Sequence, residues 1–517
     1  MQLSRAEHEH IAPAVSGHRG LRRAHLWVAV PLCFAWFALS NDFIEPYDFW
    51  WNVKSGQIMA QTGRFLATDV LVWTPVREPY FNPQWFAQLL FFGAYSLSPY
   101  LLLTLRTAII TAVMGALMWL CWRRSGSLKI ASVVTLIAFF TGWTNYGMRP
   151  QLLAFLPFVA YLVLLERKDT HPRHLLLLMP LMALWVNIHG SYFLGVALLG
   201  IYALGTLIEK LPGRQGRRWL RSGEAGWQAL CMAGAVAASL LNPYMADIYR
   251  YFFIATNDPI ARALNSEWQA PTFYNGTGLL FYANALIFLT SVYLGKRRMR
   301  PTEILLVLAF GYLALVSLRN VIWWAWVSAP VVAANFANLT AWKTRPSEPT
   351  GPADVPRHME VPALNRAILL VLAGCALAFT PVWREVNPVV PAPARAALDP
   401  ATPTGIAQFL KGSNVPAPLF NYMEWGGYLE WELYPAYQMF VDGRFEAREV
   451  QVWDDYLSVS RGRADWQQTL DRYGVRTLVL NKRFHRDLIP FVSASPAWRK
   501  VYEDEMGMVF VREQSGQ

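Results

Sequence analysis

Two groups of residues in this sequence have side chains suited to group transfer. The run Asn41-Asp42-Phe43-Ile44-Glu45-Pro46-Tyr47-Asp48-Phe49-Trp50-Trp51 sets two acids, Glu45 and Asp48, beside a pair of indoles. A carboxylate can take a proton from a hydroxyl or hold a cation, and indole faces stack on sugars or anchor a loop at the lipid boundary. Farther along, Arg149, His189 and Arg319 each stand at the end of an apolar run. Guanidinium forks match phosphate oxygens, and fixed cations stabilise the charge that develops on a departing phosphate. Arg106 lies inside an apolar run, where a charge must face a polar cavity or an acid such as Asp48. The plainer alternatives are belt tryptophans, a solvated Glu45, and cationic groups that snorkel to headgroups.

What positions these residues is a membrane. Of 517 residues, 54% are hydrophobic and only 16% charged, below the roughly 25% of soluble globular domains. The 23 Trp, 22 Tyr and 29 Phe suit many helix ends at headgroup level. Apolar runs long enough to approach a ~30 Å hydrocarbon core predict about eleven spanning helices. They cover roughly 24–40, 99–121, 128–146, 150–166, 173–188, 190–208, 227–242, 277–295, 302–318, 320–340 and 365–382. The stretch 84–98 is read as an interfacial helix instead.

Charge placement orients the chain. With the N-terminus inside, Arg19, Arg22, Arg23, Arg123, Arg124, Lys129, Arg167, Lys168, Lys210, Arg217, Arg218, Lys296, Arg297 and Arg300 all fall on inner segments. That positive-inside bias accounts for the net charge of +11 without invoking nucleic acid. The first run has a basic flank but no small-residue cleavage site, so it reads as an uncleaved helix. Cys33, Cys121, Cys231 and Cys375 all sit in apolar runs and read as inert.

The expected organisation is an inner tail (1–23), a transmembrane domain (24–383) with a long first outer loop (41–83), and a small extracytoplasmic α/β domain (384–517). In that last domain, Leu419 to Tyr422, Gln438 to Val441, Arg476 to Leu480 and Met508 to Val511 predict strands. Gly405 to Lys411, Glu446 to Ser458 and Ala464 to Tyr473 predict helices. No dinucleotide-binding, P-loop or zinc-spaced motif is present, and no repeat of 20 to 50 residues stands out.

The segment Tyr47-Asp48-Phe49-Trp50-Trp51-Asn52-Val53-Lys54-Ser55-Gly56, with Thr62-Gly63 and Thr68-Asp69, resembles the first-loop signature of bacterial membrane proteins of the glycosyltransferase C superfamily. That superfamily includes protein O-mannosyltransferases, the lipid A aminoarabinose transferase and oligosaccharyltransferases. The resemblance continues through Arg149-Pro150-Gln151, Trp185 to Gly190, Leu241 to Tyr244, Glu267-Trp268, Arg319-Asn320, Glu424 to Tyr428 and Asp442-Gly443-Arg444. It implies sugar transfer from a polyprenyl-phosphate donor to a glycan, lipid or protein acceptor outside a bacterial inner membrane. It also implies that Asp48 is the catalytic first-loop acid, acting as general base on the acceptor hydroxyl or orienting it, with Glu45 as a second catalytic candidate. Arg149, Arg319, His189 and Arg106 are the expected donor-phosphate contacts. Trp50, Trp51, Trp85, Glu267, Trp268, Trp425, Asp442 and Arg444 are the expected sugar and acceptor contacts. The resemblance names no definite cofactor. A divalent metal stays open, although Asn52 and Pro83-Gln84 stand where the family pattern suggests histidine and a His-Glu pair. A flippase of lipid-linked glycans, which should show repeats and broken helices, and a glycan-binding scaffold indifferent to Asp48 are the alternatives.

Overall fold

The computed structural model describes residues 23–210, 214–343 and 362–513. The inner tail, with Arg19 and Arg22, therefore lies outside the described residues, apart from Arg23. Every one of the eleven apolar runs forms a helix: Arg23–Ser40, Pro99–Ser125, Leu128–Thr141, Gln151–Glu166, Leu178–Val186 behind a 3-10 turn, Tyr192–Lys210, Glu224–Ala238, Gly276–Gly295, Pro301–Val316, Val321–Lys343 and Pro362–Ala378. Apolar sequence with no water to bond its backbone must satisfy its amides internally, and a helix does so within one segment. Three of these helices, Pro99–Ser125, Tyr192–Lys210 and Gly276–Gly295, are long and apolar enough to cross a membrane by length and composition. Of the others, all but Val321–Lys343, with 23 residues, are shorter.

The helix ends are chemically marked. Ser98 accepts from the amides of Tyr100 and Leu101 just ahead of Pro99, and Gly126 closes the same helix at φ 67°. At that end Arg124 bridges Glu166 (2.7 Å) and the buried Glu303 (2.9 Å), which also accepts from Arg297, tying three helices together. Val321–Lys343 runs through the middle of the bundle, packed by Pro99–Ser125, Gly276–Gly295 and Pro301–Val316. Its buried Trp323 and Trp326 pack edge-on against Phe155.

Two more helices, Phe49–Thr62 and Trp85–Leu97, lie against each other beside the bundle. Gly56 allows their backbones to touch: a Cβ there would come within 2.1 Å of the Gln88 carbonyl oxygen.

The C-terminal domain holds a four-stranded sheet in the order β1-β2-β4-β3. Strand β1 (Leu419–Asn421) runs parallel to β2 (Thr477–Asn481); β4 (Gly507–Arg512) is antiparallel to both β2 and β3 (Trp498–Glu503). The helices Thr404–Gly412, Val450–Ser460 and Trp466–Arg472 fall near their expected positions.

One expectation for this domain needs correction. Gln438 to Val441 is extended but is not a strand of the sheet. It is held by the first loop, through a Val72–Met439 bridge and a Thr74 hydroxyl donating to the Phe440 carbonyl (2.7 Å). The mostly exposed edge strand β3 has no apolar alternation to reveal it in the sequence. The Trp425-Gly426-Gly427-Tyr428 run lies inside the helix Met423–Leu433 rather than in a turn. Its glycines serve close approach. A Cβ on Gly426 would meet the Val441 carbonyl at 2.6 Å, and one on Gly427 would meet the Tyr47 carbonyl at 3.1 Å.

Candidate active site

Asp48 is the N-terminal cap residue of the Phe49–Thr62 helix, yet its carboxyl makes no capping hydrogen bond and is left for other work. The turn before it is fixed by the Trp50 indole N–H, which donates to the Glu45 carbonyl (2.9 Å). Beneath it, Asn52 donates to the Asp48 carbonyl (2.7 Å), and Gln88 donates to both Asn52 (3.2 Å) and Asn82 (2.9 Å). Buried amides satisfied in this way hold the loop in one conformation. They give Asn52 a structural role where the family pattern suggests histidine.

Asp48 faces a cavity of about 380 Å³ lined by the first loop, by residues following the helices that end near Val186 and Val316, by the segment 251–268, and by the C-terminal domain. Arg149 is the hub. Its Nε lies 3.7 Å from Asp48 Oδ2, while its Nη1 pairs closely with Glu267. Arg319 is different: its guanidinium lies over the Trp268 ring, 5.4 Å from the centroid, and forms no ion pair with any described residue. His189 accepts the Ser191 amide proton on Nδ1 (3.0 Å), so the neutral ring carries its own proton on Nε2.

The electrostatics separate the roles of these groups. Burial pushes the Asp48 carboxyl above the usual carboxylate range, and Arg149 offsets this only in part. Burial also lifts Glu267, but Arg149 and Arg319 outweigh it and hold that carboxyl below its usual range. Burial, with Arg319 repelling the charged form, pushes His189 down to about 3. The site thus holds one permanently ionised acid, one acid poised to exchange a proton, and a neutral imidazole. An acid limb of the rate profile should therefore lie above the ordinary aspartate range, with no histidine inflection near pH 6.5. Rates measured over about pH 4 to 9 for wild type and His189→Gln check this, since a limb shared by both proteins cannot come from His189.

Trp51, Trp268 and Arg444 also reach the cavity. Other expected site residues do not. Arg106 is buried against Asp42 (2.7 Å) and the Leu39 carbonyl (2.7 Å), so its charge secures the end of the first helix and is unavailable to a donor. Trp50 packs on Tyr95, Tyr428 and Trp431. Trp85 donates to Asn187 outside the cavity lining (2.8 Å). Trp425 is buried against Tyr422. Asp442 is consumed by Arg444 in a buried ion cluster. Glu45 stands outside the lining, beside Gly147.

Three residues that sequence reasoning passed over do arrive. Glu446 lines the cavity and accepts a hydrogen bond from Tyr251 (3.4 Å), and burial pushes its carboxyl up. Gly443 comes so close that a Cβ would lie 2.5 Å from Asp48 Oδ1. Gly443→Ala should thus displace the Asp48 carboxyl and lower turnover at least about tenfold with little change in unfolding temperature. Paired turnover and melting measurements decide it: a parallel loss of both would mean that Gly443 acts on the fold. The one sequence signal for these residues was the Asp442-Gly443-Arg444 run itself.

Among the described residues, no three His, Cys, Asp or Glu side chains gather as a metal would need. Arg149 already fills the space between Asp48 and Glu267 with positive charge. The donor set therefore does not fit a divalent cation, and no step is routed through one.

The helical bundle, with its acidic first loop and the small α/β domain seated over it, is a fold shared with solved structures. The chain is similar to the oligosaccharyltransferase AglB of Archaeoglobus fulgidus, both in complex with an inhibitory peptide and a dolichol-phosphate (TM-score 0.53, 12% identity) and in the apo form (0.52, 13%). Each comparison covers 95% of this chain and 74% of the archaeal one. It is likewise similar to apo ArnT of Cupriavidus metallidurans (0.50, 17% identity), over 94% of this chain and 97% of that one. No protein-family model and no curated protein matches the sequence.

Proposed function

We propose that this protein is a multi-pass glycosyltransferase of a bacterial inner membrane, with about eleven spans. Its N-terminus is cytoplasmic and its C-terminal domain extracytoplasmic. It moves a sugar from a polyprenyl-phosphate carrier to an acceptor hydroxyl outside. The observation that carries this reading is the meeting of Asp48, Arg149 and Arg319 in one cavity. An acid, a guanidinium pinned between acids, and a guanidinium with no acidic partner are what such a displacement requires.

In this reading the acceptor oxygen attacks the anomeric carbon as Asp48 takes its proton, and the bond from that carbon to the carrier phosphate breaks. The phosphate leaves with its electron pair and an added negative charge. Arg319, in ion-pair contact with no described acid, is the side chain best placed to receive that charge, with His189 Nε2–H as a neutral donor beside it. The cavity wall continues into Leu194, Tyr312, Leu313 and Val316, and the substantial exposure of Tyr312 (68%) and Val316 (45%) supports a greasy exit for the polyprenyl tail.

The test is transfer in proteoliposomes from a panel of radiolabelled polyprenyl-phosphate sugars to envelope acceptors. Wild type should use at least one donor, and Arg319→Ala should lose about 10²- to 10³-fold in turnover, as deletion of a single charge-stabilising donor does. Failure of every donor would overturn the reading, and Arg319→Ala at wild-type rate would remove Arg319 from it.

A further inference from the structure

The geometry points to an oligosaccharide-binding groove on the C-terminal domain that leads into the catalytic cavity from the side opposite the lipid-facing wall. This inference rests on the proposed function and names its acceptor class: an extended, near-neutral glycan chain. The cavity does not end at Asp48. A second hollow of about 290 Å³ shares Asp48, Arg149, Glu267 and Gly443 with it and is walled on its far side by Met423 and Glu424. That hollow in turn shares Tyr47 and Glu424 with a broad cleft of about 920 Å³ floored by the C-terminal domain. The three form one continuous path, with Asp48 at the inner junction and Glu424 at the outer one.

The chemistry of the outer cleft selects its occupant. Its accessible ring is Phe484, 38% exposed and packed 4.8 Å from Tyr422, which with Trp425 is buried beneath the cleft; Tyr47, also 38% exposed, faces it across the junction. Around these rings stand four cationic and three acidic side chains, so the charge nearly cancels and a polyanion gains little. Ring faces flanked by alternating donors and acceptors suit the apolar faces and hydroxyl edges of sugars.

An extended peptide would instead seek an open strand edge. The edge strand β1 offers none. Trp73 donates to the Leu419 carbonyl (3.1 Å), while Asn421 exchanges hydrogen bonds with Val441 (2.9 Å) and Phe440 (2.8 Å). The other edge strand, β3, contributes no residue to the cleft.

Binding of fluorescent chito-, malto- and uronate-containing oligosaccharides of increasing length to the full chain in nanodiscs tests the groove, with ten-residue extended peptides as competitors. Affinity for one oligosaccharide series should rise with chain length, and Phe484→Ala and Arg483→Ala should each weaken it about tenfold. Hydrolysis of the polyprenyl-phosphate sugar by water should stay unchanged in both variants, because neither residue lines the catalytic cavity. Wild-type affinity in both variants, no oligosaccharide binding, or displacement by the peptides overturns the groove. Because binding is read without turnover, an absence of donor use would count against the proposed enzyme while leaving the groove to be judged on its own.

Discussion

Replacing Asp48 with asparagine is expected to lower sugar transfer by about 10²- to 10⁴-fold, the usual contribution of a positioned general base. The amide keeps the shape and the polar contact to Arg149 but cannot accept the acceptor's proton. Stability should move the other way. Burial holds the Asp48 carboxyl above its usual range, so the folded protein binds that proton more tightly than the unfolded chain. Ionised Asp48 therefore costs stability at neutral pH, and the cost disappears as pH falls through the raised folded value. Asp48→Asn removes it at every pH, so the variant should melt at the wild-type temperature or slightly above. Activity and thermal unfolding measured on the same preparations give the answer: a variant that melts well below wild type would make Asp48 a structural residue, and one that transfers sugar normally would end its role as base.

The second large effect lies at the wall of the cavity, in a buried ion cluster. Arg444 is buried among Asp442, Asp69 (3.1 Å) and the Tyr80 hydroxyl (3.3 Å), and its guanidinium lies 4.9 Å from the centre of the Trp51 ring. Arg448 pairs with the same Asp69, so two cations and two carboxylates weld the first loop to the C-terminal domain. Nearby, burial and then Asp442 push the Glu430 carboxyl well up, which favours its neutral form and spares the cluster a third negative charge. Removing one partner of a buried pair strands the other charge, at a cost of about 3 to 5 kcal/mol. Arg444→Ala should therefore lower stability by that amount and loosen Trp51, with transfer lost as a consequence. Arg444→Ala combined with Asp442→Asn should recover part of the stability, because less unpaired charge is then buried. Denaturant melts of the single and double variants test this. Equal stability of Arg444→Ala and wild type would mean that the cluster does not hold the domains together.

Much of the molecule was determined by the sequence alone. Eleven apolar runs became eleven helices because an apolar segment shielded from water has few other ways to satisfy its backbone, a constraint that acts residue by residue along the chain. The placement of Arg149, His189 and Arg319 had the same local basis, since each sits at the end of such a run, whereas Asp48 lies in the loop that follows the first run. The C-terminal domain was legible where short continuous apolar runs marked β2 and β4 and invisible where the exposed β3 had none.

Tertiary structure decided what each charge and aromatic ring is for. Arg106 found Asp42 rather than Asp48, and Arg444, already paired with Asp442, found Asp69 across 375 residues of chain. Trp50 and Trp425 went into the core, and Gly443, Tyr251 and Glu446 came to the cavity without a local pattern to announce them. Periodicity reports which face of an element is buried but not what it is buried against. A buried charge pairs with whichever opposite charge the folded chain brings within reach, and that choice belongs to the packing of distant segments.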